Sequence, residues 1–491
     1  MTGMNRRQFI TLAGVALAGG IASACSSQEL RPGLAPGEAL TGAGNGAGGG
    51  SGSDKAGDKG DKSGGAKGES VAWETLILNG MIVDGTGAPA YAGAVALQKD
   101  RIAAVLPGSG QRWEQGRFVS AGKSYAPAAD CQVIDAQGAC ITPGFIDVHT
   151  HNEVYLGTNP QAEVRLLQGV TSQVGGNCGD SVNGIGDFRR RLGALGVNYA
   201  QLVGYRNLRR QALGNDTTRR ATAPEVERMI GLLEKGIGEG APGLSIALEY
   251  EPQSAVTVDE LEQYAQLLAR RGKLLTVHLR SEGDRVLEAL EEVLGVARRT
   301  GVALQYGHAK ALFQQNWSKY PRILASIDSA VADGVDVWGD MYVYDFSSWD
   351  FGTSRVSISE DNIIRGLAHP RLFIASDSGL YENGRANHPR AYGNFSRVLA
   401  RYVREKQALS LETAVAKMSG LPARRFGYTD RGQVAAGKKA DVLVFSLDKV
   451  QDRATRQQPA IKAEGMRYVF VNGVKAVDDG TPTGARAGEW L

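Results

Sequence analysis

Between about residue 141 and residue 380 the sequence keeps a regular beat. Apolar, β-prone runs end near Val148, Gly175, Gly204, Ala247, Val277, Gly307, Gly339 and Ser376, and a helix-like stretch follows each. A spacing of roughly 25 to 40 residues leaves room for one crossover helix per strand, which parallel pairing requires. Eight such units in succession close most simply into a (β/α)8 TIM-like barrel, an α/β fold whose chemistry gathers at the C-terminal ends of the strands. Two helix starts carry capping residues, Thr222 ahead of Pro224-Glu225 and Thr257 with Glu260 three residues on.

The barrel is expected over 141–429. Short alternating strands precede it in ETLILNG, MIVDGTG and AVALQKDRIAAV, and others follow it in ADVLVFSL and MRYVFVNGVKAV. These two β pieces pair most simply as one small β-sandwich built from both flanks, residues 71–140 and 430–491.

The N-terminus is an address. Asn5-Arg6-Arg7-Gln8-Phe9-Ile10 is a twin-arginine export pattern, and the apolar run from Ile10 to Ala24 is too short for a comfortable membrane span. It ends in Ala22-Ser23-Ala24-Cys25, which resembles a lipoprotein cleavage site, so residues 1–25 are expected to be a signal peptide that leaves a lipid on Cys25. Residues 26–70 are mostly Gly, Ser, Ala, Lys and Asp; they cannot bury a core and are expected to form a disordered tether with a reach of roughly 35 Å. The expected location is therefore extracytoplasmic, with the membrane met only through Cys25. With 55 basic and 52 acidic residues, composition makes no case for nucleic acid. Cys131 and Cys140 lie close enough in sequence to pair after export, although two buried thiols are the simpler expectation.

The chain has only 6 histidines and 4 cysteines, so their clustering is informative. His149 and His151 follow strand one in PGFIDVHTH, and an i, i+2 spacing on a strand points both imidazoles to one side. Cys178 follows strand two in GGNCGDS, His278 ends strand five in LLTVHLR, His308 ends strand six in LQYGH, and Asp377 ends strand eight in IASDSG. Each alone is ordinarily something blander: a hydrogen-bonded core histidine, a small buried hydrophobe, a helix cap. Converging on one rim, they have the composition of a metal site.

The segments LILNGMIVDGTGAP, ITPGFIDVHTHNE, LLQGVTSQVGGNCGDS, VHLRSEGD, GHAKAL, ASDSG, HPRAYGNFSRVLARYVRE and LPARRFGYTDRGQVAAGKKADVLVF together resemble the amidohydrolase superfamily, and within it the N-acyl-D-amino-acid deacylases (D-aminoacylases). The likeness runs from about Glu74 to Ala487. Many amidohydrolases bridge two metals through a carboxylated lysine on strand four. Strand four here, LSIALEY, has no lysine, and a Cys178 thiolate is the natural replacement.

The resemblance implies one tight zinc held by Cys178, His278 and His308, and a weaker second position lined by His149, His151 and Asp377. It implies zinc-assisted hydrolysis of the amide of an N-acyl-D-amino acid, with Asp377 as the catalytic base that passes a proton to the departing amine. Lys310, Arg390 and Tyr344 match positions that grip the substrate carboxylate, and Tyr342 fits by composition equally well. Two departures bear on substrate. Gly204-Tyr205 stands where many relatives read Gly-His, and only about thirty residues separate Tyr344 from Asp377, so a more open pocket is expected. Hydrolysis of cyclic amides or of peptides containing D-residues is the neighbouring reading, and an extracytoplasmic binding lipoprotein on a decayed hydrolase scaffold is the third.

Overall fold

The computed structural model describes residues 69–491; the twin-arginine segment, Cys25 and the tether through residue 68 lie outside the described residues. The flanking β unit is a single fabric woven from both ends of the barrel. Its spine, Thr75–Ile82, pairs antiparallel with Tyr91–Gln98 and parallel with Gln132–Asp135 and Cys140–Pro143. Cys140–Pro143 then pairs antiparallel with Val442–Phe445, and Met466–Val471 and Val474–Asp478 follow.

A smaller sheet lies on one face and includes Glu69–Ser70 beside Lys123–Ala126, so ordered structure begins inside the stretch expected to be tether. The period of two explains the layering. Leu76 and Leu78 face Trp73, Phe118 and Tyr125, whereas Ile77 between them faces Val95, Val442 and Val444. Val442, Leu443, Val444 and Phe445 are wholly buried, each worth about 1.5–3 kcal/mol relative to exposure; Val442 and Val444 tie the C-terminal flank to the N-terminal one, and Leu443 and Phe445 pack with the barrel.

The barrel has eight parallel strands: Phe145–Asp147 (β1), Val170–Gly175 (β2), Asn198–Gln201 (β3), Gly243–Ala247 (β4), Leu274–His278 (β5), Ala303–Tyr306 (β6), Val337–Met341 (β7) and Leu372–Ile374 (β8). β1, β2 and β3 pair in order; Val203–Gly204 resumes the third strand and joins β4, and the ladder continues through β8. Closure lies at the C-terminal rim, where Thr150 pairs with Ser378 and His151 with Gly379. Below it, the Ser376 N–H donates to Asp147 Oδ1 at 2.9 Å, and the wholly buried Arg165 also donates to Asp147. The pairing that closes the cylinder thus sets His151 beside Asp377.

Both expected caps form. Thr222 and Glu225 make a reciprocal capping box on Ala223–Gly238. Thr257 Oγ1 accepts the Glu260 N–H at 3.2 Å on Val258–Arg270, a contact worth about 1 kcal/mol. Glu260 does not reciprocate, because its carboxylate accepts the Tyr205 and Tyr264 hydroxyls at 2.5 and 2.9 Å. Cys131 and Cys140 are free thiols, the second buried and the first half-buried.

Candidate metal centre

Each strand end delivers one or two side chains to the rim, and the donor atoms converge. Cys178 Sγ lies 3.5 Å from His308 Nε2 and 4.0 Å from His278 Nδ1, and those two nitrogens are 3.0 Å apart. A tetrahedral zinc with N and S ligands sets its donors about 3.3 to 3.6 Å apart; the three separations bracket that range, so shifts of about half an ångström would close the triad on one ion and would leave a position for water or substrate. On its other side Cys178 Sγ is 3.4 Å from His149 Nε2, which is 3.7 Å from Asp377 Oδ1; His151 Nε2 is 3.2 Å from the same oxygen. The sulfur therefore sits beside an imidazole of each triad.

The backbone is bent to achieve this. Cys178, His308 and Asp377 have φ of 51°, 42° and 49°, in the left-handed region that ordinary residues avoid. Gly307 supplies clearance, since a Cβ there would meet His149 Cε1 at 2.9 Å.

Electrostatics favour the ligating forms of two groups. Burial opposes ionisation of the Cys178 thiol, but His149 and His308 outweigh it and hold the thiol well below its usual value. Burial likewise opposes charge on Asp377, and Arg390, His151 and His308 keep its carboxyl well below the ordinary carboxylate range. His149 moves the other way: against burial, Asp340 and Cys178 hold its imidazolium form well above its usual value.

Two acidic residues that sequence reasoning missed complete the shell. Asp340, on β7, lies 3.1 Å from His149 Nδ1 and accepts the His308 N–H at 2.8 Å and Gln305 Nε2 at 2.9 Å. Glu282 accepts from Lys310 Nζ at 2.5 Å and lies 2.8 Å from His308 Nδ1. The available signals were an acid inside the apolar run VDVWGDM and the acid of HLRSEGD.

The substrate-binding expectations divide. Arg390 lies against Asp377, with Nη2 2.6 Å from Oδ2 and Nε donating to the Asp377 carbonyl at 2.7 Å; its Nη1 makes no hydrogen bond among the described residues. Lys310 is buried beside His308, held by Glu282. Tyr344 requires a correction, for its hydroxyl donates to Asp452 Oδ2 at 2.9 Å and its ring lies under Arg397, away from the rim. Tyr342 takes that place. Arg390 stacks on its ring at 4.3 Å, Lys310 Nζ lies 5.6 Å from the ring centre, and its buried hydroxyl has no partner among the described residues.

The two sequence departures also have structural outcomes. Tyr205 points to Glu260 rather than to the rim. The short loop after β7 is pinned from the C-terminal flank, where Arg456 donates to the carbonyls of Asp350, Thr353 and Arg355 and stacks 3.5 Å from the Phe346 ring. His149, His151, His278, His308 and Asp377 are each at most 8% exposed, whereas Cys178 is half-buried.

The amidohydrolase family model matches residues 132–213 and 210–477. The chain is 35% identical to an N-acyl-D-glutamate deacylase of Alcaligenes xylosoxydans xylosoxydans over 482 residues, covering 84% of this chain and 95% of that one. It is 30% identical to a D-aminoacylase of the same organism, covering 87% and 99% respectively. Among solved structures, the N-acyl-D-glutamate deacylase of Bordetella bronchiseptica, complexed with zinc and a phosphonate mimic of the tetrahedral intermediate, superposes with a TM-score of 0.76 at 32% identity, over 86% of this chain and 100% of that one. A D-aminoacylase described by its binuclear metal centre superposes with a TM-score of 0.76 at 29% identity, over 85% and 99%. The chain belongs to the amidohydrolase family, in its N-acyl-D-amino-acid deacylase branch.

Proposed function

We propose that this protein hydrolyses the amide bond of N-acyl-D-amino acids, releasing a carboxylate and a free D-amino acid, with zinc held by Cys178, His278 and His308 and a weaker second position at His149, His151 and Asp377. The observation that carries this reading is the placement of the sulfur: Cys178 Sγ sits 3.4 to 4.0 Å from three imidazole nitrogens. Zinc bound there would polarise the acyl carbonyl and acidify the attacking water.

The protein's own groups do the rest. Asp377, kept ionised by Arg390, takes the proton of the attacking water and delivers it to the amine nitrogen, because an amide anion is a very poor leaving group. Asp340 and Glu282 fix the orientations of His149 and His308. The substrate carboxylate is received by the remaining amine of Arg390, the unpartnered Tyr342 hydroxyl and the Lys310 ammonium. A panel of N-acetyl-D-amino acids, cyclic imides and D-dipeptides tests the reading: open-chain acyl-D-amino acids should be cleaved best, and silence on all of them would reject it.

The chain is further proposed to be exported by its twin-arginine segment and anchored through a lipid on Cys25, on the strength of Asn5-Arg6-Arg7-Gln8-Phe9-Ile10 and Ala22-Ser23-Ala24-Cys25. Cys25→Ala should move the protein from the membrane fraction to the soluble extracytoplasmic fraction. Fractionation that does not change would reject the anchor.

A further inference from the structure

Once the scissile carbonyl is placed at the Cys178 triad and the α-carboxylate at Arg390 and Tyr342, part of the rim remains unassigned. It is formed by the loops after β4 and β7. Leu248 is buried, and the next residue, Glu249, carries a side chain 36% exposed at the mouth. Its Oε2 lies 3.0 Å from His278 Nε2, which places the carboxylate directly beside the metal triad. Its Oε1 has no hydrogen-bond partner among the described residues. Tyr250 follows, its ring 4.4 Å from the His278 ring. Trp349, from the loop after β7, stands 5.7 Å from the Tyr250 ring, donates its indole N–H to the Tyr250 hydroxyl at 3.4 Å and is 36% exposed. Together they make a wall with one negative charge and two aromatic faces, open to solvent on one side and touching a metal ligand on the other.

The cations of the neighbouring loops are already engaged. Arg206 lies 3.6 Å from Asp180 and donates to the Glu251 carbonyl at 2.9 Å. Arg280 is paired with Glu292 at 2.8 Å and donates to the Ser254 and Val256 carbonyls. Among the described residues no lysine or arginine lies within ion-pair distance of Glu249; its hydrogen-bond partner is His278. With His278 ligating through Nδ1, the Nε2–H satisfies one carboxylate oxygen and the negative charge remains for the substrate.

We infer that Glu249, Tyr250 and Trp349 form the subsite for the amino-acid side chain and select cationic substrates, N-acyl-D-lysine and N-acyl-D-arginine; the inference rests on the deacylase reading above. An ammonium or guanidinium group reaching along this wall gains an ion pair with Glu249 and cation–π contact with the rings. An acidic side chain would meet the same carboxylate, a repulsive element of the kind that sets specificity by exclusion. N-acyl-D-glutamate, the substrate named for the 35% identical relative, is therefore disfavoured here.

The test compares kcat/KM of the zinc-loaded full chain on N-acetyl-D-lysine, N-acetyl-D-arginine, N-acetyl-D-leucine and N-acetyl-D-glutamate. The cationic pair should exceed the leucine derivative by about tenfold, the weight of a partly exposed charge pair with aromatic support, and exceed the glutamate derivative by more. Glu249→Gln keeps an acceptor for His278 Nε2–H, so bound zinc should stay at the wild-type ratio while the cationic preference collapses, mainly through KM. Trp349→Leu, on the exposed side of the wall, should weaken the same preference. A wild-type preference for the leucine or glutamate derivative overturns the inference and leaves the deacylase reading standing. So does a Glu249→Gln variant that slows every substrate equally, which would make Glu249 a positioning residue for His278. Silence on the whole panel overturns the deacylase reading and the inference with it.

Discussion

His149 Nδ1 stands 3.1 Å from Asp340 Oδ1, and the same carboxylate accepts the His308 backbone N–H at 2.8 Å. One acid on β7 therefore orients a histidine from each of the two proposed zinc positions. Asp340→Asn keeps an acceptor for the His308 N–H but loses the charge facing His149. Zinc at the second position should weaken by about 10- to 100-fold while the first remains filled. Titration of the apoprotein against a chromophoric chelator reads both steps, and an unchanged second step would contradict this role.

Cys178 and Asp377 should separate metal binding from chemistry. Cys178→Ala removes one of the three ligands of the tight position, so bound zinc itself should fall. Asp377→Asn removes the proton carrier yet leaves Cys178, His278 and His308 in place, so it should retain tight zinc and lose about 10² to 10⁴-fold in kcat. Elemental analysis beside steady-state kinetics distinguishes them. Undiminished zinc in the first variant, or undiminished kcat in the second, would refute the assignment.

The two tyrosines after β7 should fail differently. Tyr342→Phe removes the unpartnered hydroxyl beside Arg390 and should raise KM by about fivefold to tenfold, with kcat little changed. Tyr344→Phe takes a hydrogen bond from buried Asp452 and should cost about 1–2 kcal/mol of stability with KM unaffected. Chemical denaturation and substrate saturation curves on both variants check the contrast.

Zinc binding should release protons. In the metal-free protein, burial disfavours charge on His149 and His278, but Asp340 and Cys178 hold the first well above its usual value, and Glu282 with Cys178 and Glu249 pushes the second up to about 10. An imidazole must be neutral to ligate, so near pH 7 each proton has to leave. The thiol, held below its usual value, has little to give up. Affinity should therefore fall as pH falls below the raised imidazole values. Calorimetry in buffers of different ionisation enthalpy should show net release; a buffer-independent heat would contradict it.

How far sequence reached depends on residue frequency and on where regular geometry ends. His149, His151, Cys178, His278 and His308 were legible because histidine and cysteine are scarce and each follows a strand in a repeated frame. Asp340 and Glu282 were not, because they are 2 of 52 acidic residues and only the folded rim distinguishes them. Tyr342 and Tyr344 share a face if the strand continues, but β7 ends at Met341 and the two side chains part. Nothing in sequence announces the positive φ of Cys178, His308 and Asp377; that strain is imposed by three separate strand-to-loop turns. The flanking sandwich was readable from its alternation, whereas the clamp of Arg456 on the loop after β7 joins residues a hundred positions apart.

The most direct measurement of the central claim is release of free amino acid from enantiomeric pairs of N-acetyl amino acids, with cationic and apolar side chains both represented, by zinc-loaded protein and by the same protein stripped with a chelator. The account predicts turnover of the D-enantiomers that disappears with the metal and returns in proportion to restored zinc. Turnover that persists at full rate after zinc is removed, or that favours the L-enantiomers, would contradict it.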